Sequence, residues 1–71
     1  MYYYFGMKEK LKELRKEKDL SQEDVAKALN LSRATYASYE QGTREPNIDT
    51  ILKLCKFFNV TPNYLLGFEE Y

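Results

Sequence analysis

Apolar residues recur at helical spacing along most of this chain. Met7, Leu11 and Leu14 follow i, i+4, i+7 spacing with charged residues between them, which predicts an amphipathic helix over residues 7–18. A second apolar stripe predicts another helix over residues 48–58. The members of that stripe are Ile48, Ile51, Leu52, Cys55 and Phe58. Both stripes favour an all-α fold.

Helix-start and helix-stop residues divide the segment between these two helices. Ser21 followed by Asp24 has the form of a capping box and predicts the start of a short helix. Asn30 tolerates positive φ and therefore suits a tight turn after that helix. Ser32 can cap a third helix, and Gly42 suits its left-handed end. Two short helices joined by a tight turn form a helix-turn-helix unit.

The same signals continue towards the end of the chain. Pro46 forces a loop, after which Asn47 can cap the fourth helix. Thr61 with Pro62 behind it predicts the start of a short fifth helix, which ends at Gly67. We therefore expect a compact domain of five helices.

Four consecutive aromatic residues, Tyr2 to Phe5, precede the first helix and favour extended structure. They divide the chain into an aromatic arm (residues 1–6), a helical domain (7–67) and a tail (68–71). Side chains of a strand alternate, so one aromatic pair could cover the domain while the other meets a second copy. We therefore expect a homodimer held in part by this arm. The alternative is that the four aromatic residues fold back onto their own helices beside Phe68 and Tyr71. The expected dimer contacts are Tyr2, Tyr3, Tyr4, Phe5 and Tyr64.

The amino-acid composition limits the ligands and reactions that this chain can support. The 71 residues suffice for one domain, and 11 Lys and Arg balance 11 Asp and Glu. The absence of histidine and the single cysteine, Cys55, exclude a Cys/His metal site, a Cys/His nucleophile and an internal disulfide. No apolar stretch is long enough for a membrane span or a signal sequence. We expect a cytoplasmic protein that is not an enzyme and has no metal, cofactor, membrane or small-molecule ligand.

Two longer sequence stretches carry a family resemblance. SQEDVAKALNLSRATYASYEQG, followed by REPNIDTILKLCKFFNVTPNYLLG, resembles the five-helix DNA-binding domain of the phage repressor and Cro type, also called the XRE family. The resemblance covers residues 8–67. Its most specific elements are Ser21-Gln22-Glu23, the pair Glu40 and Gly42, Pro46 and Tyr64-Leu65-Leu66-Gly67. The chain departs from it at Asn30, where many relatives have glycine, and at Tyr36, where isoleucine or valine is more common.

The resemblance implies that the third helix enters the major groove of DNA. Tyr36 and Tyr39 would face inward, with the small residues of this helix turned towards the bases. Arg33 can contact guanine in a bidentate manner, while the methyl groups of Ala34 and Thr35 can meet a thymine methyl. The expected base contacts are Arg33, Ala34, Thr35 and Ser38. The alternative is an ordinary solvated face, although such a face rarely carries so little charge.

Phosphate contacts are expected on both sides of this helix. Gln22 resembles the family glutamine that holds a phosphate at the start of the first motif helix, where the helix dipole also favours an anion. Gln41, Thr43 and Arg44 follow the recognition helix and would reach the other side of the groove. The alternative for Gln22 and Arg44 is that each is a solvated surface residue.

The charged residues of the first helix have two expected roles. Arg15 and Glu40 match a family pair that joins the first and third helices by a buried salt bridge, and direct contact of Arg15 with DNA is the alternative. The lysines of the first helix alternate with glutamates and are expected to form solvated i, i+4 pairs. Those lysines are Lys8, Lys10, Lys12, Lys16 and Lys18.

The sequence thus favours a sequence-specific DNA-binding transcriptional regulator, a repressor, that binds a dyad operator as a homodimer. An antitoxin-type DNA-binding partner of a toxin is an alternative within the same class. A protein-interaction module that uses the terminal aromatic residues and binds no DNA is an alternative from another class. The balanced net charge favours the module, whereas the uncharged face around Arg33 favours DNA binding.

Overall fold

A computed structural model describes residues 6–68 of the chain. Within that range the chain forms five α-helices and no strand, which confirms the all-α prediction. The helices are α1 (Met7–Glu17), α2 (Gln22–Ala28), α3 (Arg33–Gln41), α4 (Ile48–Phe58) and α5 (Pro62–Leu66). None of these helices has the length and apolar character needed to cross a membrane. The predicted arm contacts Tyr2, Tyr3, Tyr4 and Phe5 lie outside the described residues.

Four helices begin at the capping residues expected from the sequence. The side chains of Ser21, Ser32, Asn47 and Thr61 each accept a hydrogen bond from the backbone N–H three residues later. Such a bond satisfies one of the N–H groups that have no partner within the helix. At α2 the capping box is complete, since Asp24 also accepts from the backbone N–H of Ser21 at 2.9 Å.

The turn between α2 and α3 is held by its backbone. Asn30 adopts the left-handed conformation with φ of 59°. This geometry lets the N–H of Leu31 donate to the carbonyl oxygen of Ala26 at 2.8 Å. Ala26 is buried in the core below the turn. The helix-turn-helix geometry is therefore fixed by contacts within a few residues of the turn.

The core lies between the helices and is built from side chains of all five. Its buried members are Met7, Leu11, Leu14, Val25, Ala26, Leu29, Tyr36, Tyr39, Ile51, Leu54, Cys55, Phe58 and Leu65. Tyr36 and Tyr39 face inward as predicted, with their rings in an edge-to-face contact at 6.4 Å. Tyr36 is fully buried.

The buried stripe of α4 differs from the predicted one. Ile48 and Leu52 are 64% and 51% exposed, whereas Leu54 is fully buried. Leu52 follows Ile51 directly and therefore lies about 100° further around the helix, away from the buried face. Ile48 is the first residue of α4, where the helix begins at the surface. The prediction that Ile48 and Leu52 belong to the core is therefore wrong.

Candidate nucleic-acid interface

The carboxylate of Glu40 joins three helices near the start of the helix-turn-helix. Its Oε2 accepts from Arg15 Nε of α1 at 2.7 Å and from the Tyr36 hydroxyl of α3 at 2.7 Å. Its Oε1 accepts from Arg15 Nη2 at 3.1 Å and from Gln22 Nε2 of α2 at 3.1 Å. We call Arg15, Gln22, Tyr36 and Glu40 the Glu40 cluster. The predicted salt bridge between Arg15 and Glu40 is confirmed as a bidentate pair.

Arg15 is fully engaged within the protein. Besides the two bonds to Glu40, its Nη1 donates to the carbonyl oxygen of Leu20 at 2.9 Å, so each of its three nitrogens has a protein acceptor. The Arg15 side chain is 13% exposed and that of Glu40 is 1% exposed. These contacts favour the structural role of Arg15 over direct contact with DNA.

The surroundings shift the acid–base behaviour of this cluster. Burial alone would raise the pKa of Glu40, but hydrogen bonds from Arg15, Tyr36 and Gln22 outweigh it and hold that pKa below its ordinary value. Burial, followed by the bond to Glu40, raises the pKa of the Tyr36 phenol well above its ordinary value. The cluster therefore holds a carboxylate, a guanidinium and a neutral phenol at neutral pH.

Gln22 is the first residue of α2, and its side chain is oriented by the cluster. One N–H of its amide is used by Glu40. A primary amide has two N–H donors, so one remains for another acceptor. The backbone N–H groups of Gln22 and Glu23 in this first turn also point out of the helix, whereas that of Asp24 is capped by Ser21. Both features suit an anionic oxygen such as that of a phosphate.

The predicted base-reading residues lie in the first six positions of α3 but differ in exposure. Arg33 and Ala34 are exposed, while Thr35 and Ser38 are half-buried. Ser32 Oγ donates to Thr35 Oγ1 at 2.8 Å, and Ser38 Oγ donates to the Thr35 carbonyl oxygen at 2.6 Å. Ser38 thus has only its oxygen lone pairs left for a base. Arg33 is the most accessible donor of the four.

The predicted phosphate contacts at and after the end of α3 are all exposed. They are Gln41, Thr43 and Arg44. Gly42 ends α3 in the left-handed conformation with φ of 82°, and the backbone N–H of Thr43 then donates to the Ser38 carbonyl oxygen at 3.1 Å. The backbone conformation at this helix end fixes the surface positions of the Gln41, Thr43 and Arg44 side chains. No observation tests the DNA contacts expected for these three residues, for Gln22 or for α3, so these contacts stay predictions.

Comparison with known proteins identifies the family. The helix-turn-helix family profile matches residues 11–65 of the chain. The chain belongs to this helix-turn-helix family. The result confirms the family resemblance drawn from the sequence.

Several members of the family are similar to this chain along most of its length. It is 45% identical over 61 residues to the cryptic phage CTXphi transcriptional repressor RstR of Vibrio cholerae, covering 86% of this chain and 55% of that protein. It is 39% identical over 61 residues to the transcriptional regulator ImmR of Bacillus subtilis, covering 86% and 48%. The chain thus spans about half the length of these relatives. The regulator MJ0272 of Methanocaldococcus jannaschii is 39% identical over 64 residues, which cover 90% of this chain and 97% of that protein.

Solved structures of helix-turn-helix proteins have the same fold. The P22 c2 repressor in complex with a synthetic operator superposes with a TM-score of 0.83 and is 28% identical, covering 89% of this chain and 96% of that one. A transcriptional regulator from Listeria innocua gives a TM-score of 0.86 at 27% identity, covering all of this chain and 64% of that one.

Two features of this helix-turn-helix domain were not predicted from the sequence. A groove at the Glu40 cluster is lined by five residues of α1 and three residues of α2 and α3. They are Lys8, Glu9, Lys12, Glu13 and Lys16, with Gln22, Glu40 and Gln41. The i, i+4 spacing of these lysines is visible in the sequence, but only packing places them beside two predicted phosphate contacts.

The second feature is a contact between α1 and α5. The ammonium of Lys10 lies 5.2 Å from the centre of the Tyr64 ring, which is the geometry of a cation–π contact. Tyr64 is half-buried. Its predicted role in a dimer interface stays a prediction.

Proposed function

We propose that this chain is a transcriptional repressor that binds duplex DNA in a sequence-specific manner with α3 in the major groove. The observation that carries the proposal is the exposed start of α3, where Arg33 is the one charged residue before Glu40, with Gln22 before it in the chain and Gln41, Thr43 and Arg44 after it. A small-residue face lets the backbone approach base edges, and flanking polar residues suit the two phosphate walls of the groove.

In this function the residues divide into two roles. Arg33, Ala34, Thr35 and Ser38 read base edges, with Arg33 donating to guanine O6 and N7. Gln22, Gln41, Thr43 and Arg44 hold phosphates and fix the position of α3 in the groove. The similarity to the P22 c2 repressor, solved with a synthetic operator, supports DNA binding by this domain.

The experiment that tests the proposal is selection of bound duplexes from a random-sequence library, followed by footprinting. Specific binding should enrich one motif and protect it. Equal, weak affinity for selected and unselected duplexes would contradict sequence-specific recognition.

We further propose that the chain binds as a homodimer to a dyad operator. Two recognition helices of a dimer reach half-sites about 34 Å apart, which is one turn of DNA. Footprinting should therefore protect two half-sites. A single protected half-site would contradict the dimer.

The aromatic composition of residues 2–5 supports a role of this segment in dimerisation, because four adjacent aromatic side chains carry a large apolar surface. The test is to delete residues 2–5 and to measure molecular mass across a dilution series by ultracentrifugation. The shortened chain should dissociate at higher concentration than the full chain. Equal dissociation would remove the segment from the interface.

A further inference from the structure

Three lysines of α1 lie in a row along one side of the helix. Lys8, Lys12 and Lys16 are spaced by four residues, so each lies only about 40° around the helix from the one before. We call them the lysine row. Arg15 lies about 20° from Lys8 on the side that faces Glu40, whereas Glu9 and Glu13 lie further round in the opposite direction. The lysine row therefore runs between the Glu40 cluster and the acidic side of α1.

The lysine row borders the surface that we propose to contact DNA. Its three side chains line the same groove as Gln22 and Gln41, which are proposed phosphate contacts, and Glu9 and Glu13 line the far side of the row in this groove. Glu40 also lies at this groove, but its carboxylate is already bound by Arg15, Gln22 and Tyr36. The charge next to the row on this side is therefore neutralised within the protein.

The three lysines of the row differ in their contacts within the protein. An added Cβ at Gly42 would lie 2.8 Å from Cδ of Lys8, so the Lys8 side chain passes over the end of α3, where a cation is favoured by the helix dipole. Lys12 and Lys16 are exposed, and neither lysine forms an ion pair with another residue of the described range 6–68. The i, i+4 ion pairs expected for them from the sequence are thus not formed. Their ammonium groups are available to an external anion.

We propose that Lys12 and Lys16 bind backbone phosphates of the DNA next to those held by Gln22. The inference rests on the proposed function and extends the DNA contact from the helix-turn-helix onto α1. The chain has no net charge to attract DNA as a whole, so the placement of individual cations decides its electrostatic affinity. These two contacts are independent of base sequence, because a phosphate carries no sequence information.

The test is the salt dependence of binding to a duplex selected by the native chain. Each phosphate contact contributes about 0.9 to the slope of log K against log salt. The double variant Lys12→Gln and Lys16→Gln should therefore lower the slope by about 2 for each bound subunit, which is about 4 for the proposed dimer. For each subunit, a fourfold rise in salt should weaken DNA binding by the variant about tenfold less than DNA binding by the native chain. Glutamine keeps the helix propensity of lysine, and thermal melting of both proteins checks the fold.

The matched control is the double variant Lys53→Gln and Lys56→Gln. It changes the net charge by the same amount, but these exposed lysines of α4 line a different groove with Leu29 and Asn30. The control should keep the native slope, and Lys12→Arg with Lys16→Arg should keep it as well. Equal slopes for the native chain and the α1 variant would overturn the proposal, as would equal losses in the α1 and α4 variants. If the native chain bound no duplex, the proposed function itself would fail, which is a distinct result.

Discussion

Tyr36 donates its phenolic hydrogen to Glu40 Oε2 one helical turn later, at 2.7 Å, and Arg15 Nε donates to the same oxygen. This relationship explains how a tyrosine can be fully buried in this core. The ring fills the core and the hydroxyl finds a charged acceptor, so no polar atom is left without a partner. The tyrosine also adds a donor to the carboxylate that joins α1, α2 and α3.

Replacing Tyr36 with phenylalanine should lower the free energy of unfolding by about 1.5 to 3 kcal/mol, because it removes a hydrogen bond to a buried charged group. Urea denaturation measures the change. Tyr39→Phe is the matched control, since it removes a hydroxyl from the neighbouring buried tyrosine, which is not a donor to Glu40. Equal losses of unfolding free energy in the two variants would mean that the hydrogen bond from Tyr36 to Glu40 contributes no more stability than the hydroxyl of Tyr39 does.

The native chain should lose stability above about pH 10, and Tyr36→Phe should lose less. The folded chain raises the pKa of Tyr36, so the unfolded chain releases this proton at lower pH. The stabilisation from this group is therefore fully present below the unfolded pKa and declines as pH rises above it. Urea denaturation of both proteins across this range measures the difference. Parallel curves would contradict the prediction.

A denaturant double-mutant cycle should reveal coupling between Arg15 and Glu40. Either single alanine variant leaves a buried charge without its partner and should cost about 3 to 5 kcal/mol. The double variant should lose less than the sum of the two single losses. Glu23 and Lys27 on α2, both exposed, provide the control cycle, which should be close to additive. Additivity at Arg15 and Glu40 would show that the pair has no net coupling.

Asn30→Ala should lower the free energy of unfolding by about 1 to 2 kcal/mol, whereas Asn30→Gly should be nearly neutral. The left-handed backbone at this position crowds a Cβ, and asparagine tolerates it better than alanine does. Thermal or urea denaturation tests this. The control is Asn63→Ala, an exposed asparagine within α5 that should change little. A larger loss with glycine than with alanine would contradict the backbone explanation.

Arg33→Ala and Gln22→Ala should weaken DNA binding in different ways. Loss of a bidentate base contact should cost about 1 to 3 kcal/mol and relax the preference at one base pair. Loss of a phosphate contact should weaken all sequences about equally. Binding to the selected duplex and to its single-base variants separates the two patterns. A uniform loss for both variants would contradict the assignment of roles.

The parts of the fold that the sequence predicted depend on neighbouring residues in the chain. Ser32 binds a backbone group three positions away, and Asn30 is limited by its own φ, so local sequence was sufficient for both. Whether a side chain is buried depends on which other helix packs against it. The sequence does not specify this packing, which is why Ile48 and Leu52 were assigned to the core in error.

The contacts within the candidate site were likewise only partly predictable from the sequence. The salt bridge between Arg15 and Glu40 followed from the family resemblance. The bond from Gln22 to Glu40 and the position of Lys12 and Lys16 beside Gln22 depend on how α1 packs against α2 and α3, which no local pattern specifies.

The Glu40 cluster also bears on the thermodynamics of DNA binding. Because Glu40 ties α3 to α1 and α2, the position of α3 is already fixed in the free protein. A preorganised surface loses little conformational entropy on association. The heat-capacity change of binding should therefore correspond to the surface buried at the contact, without the additional term that accompanies coupled folding.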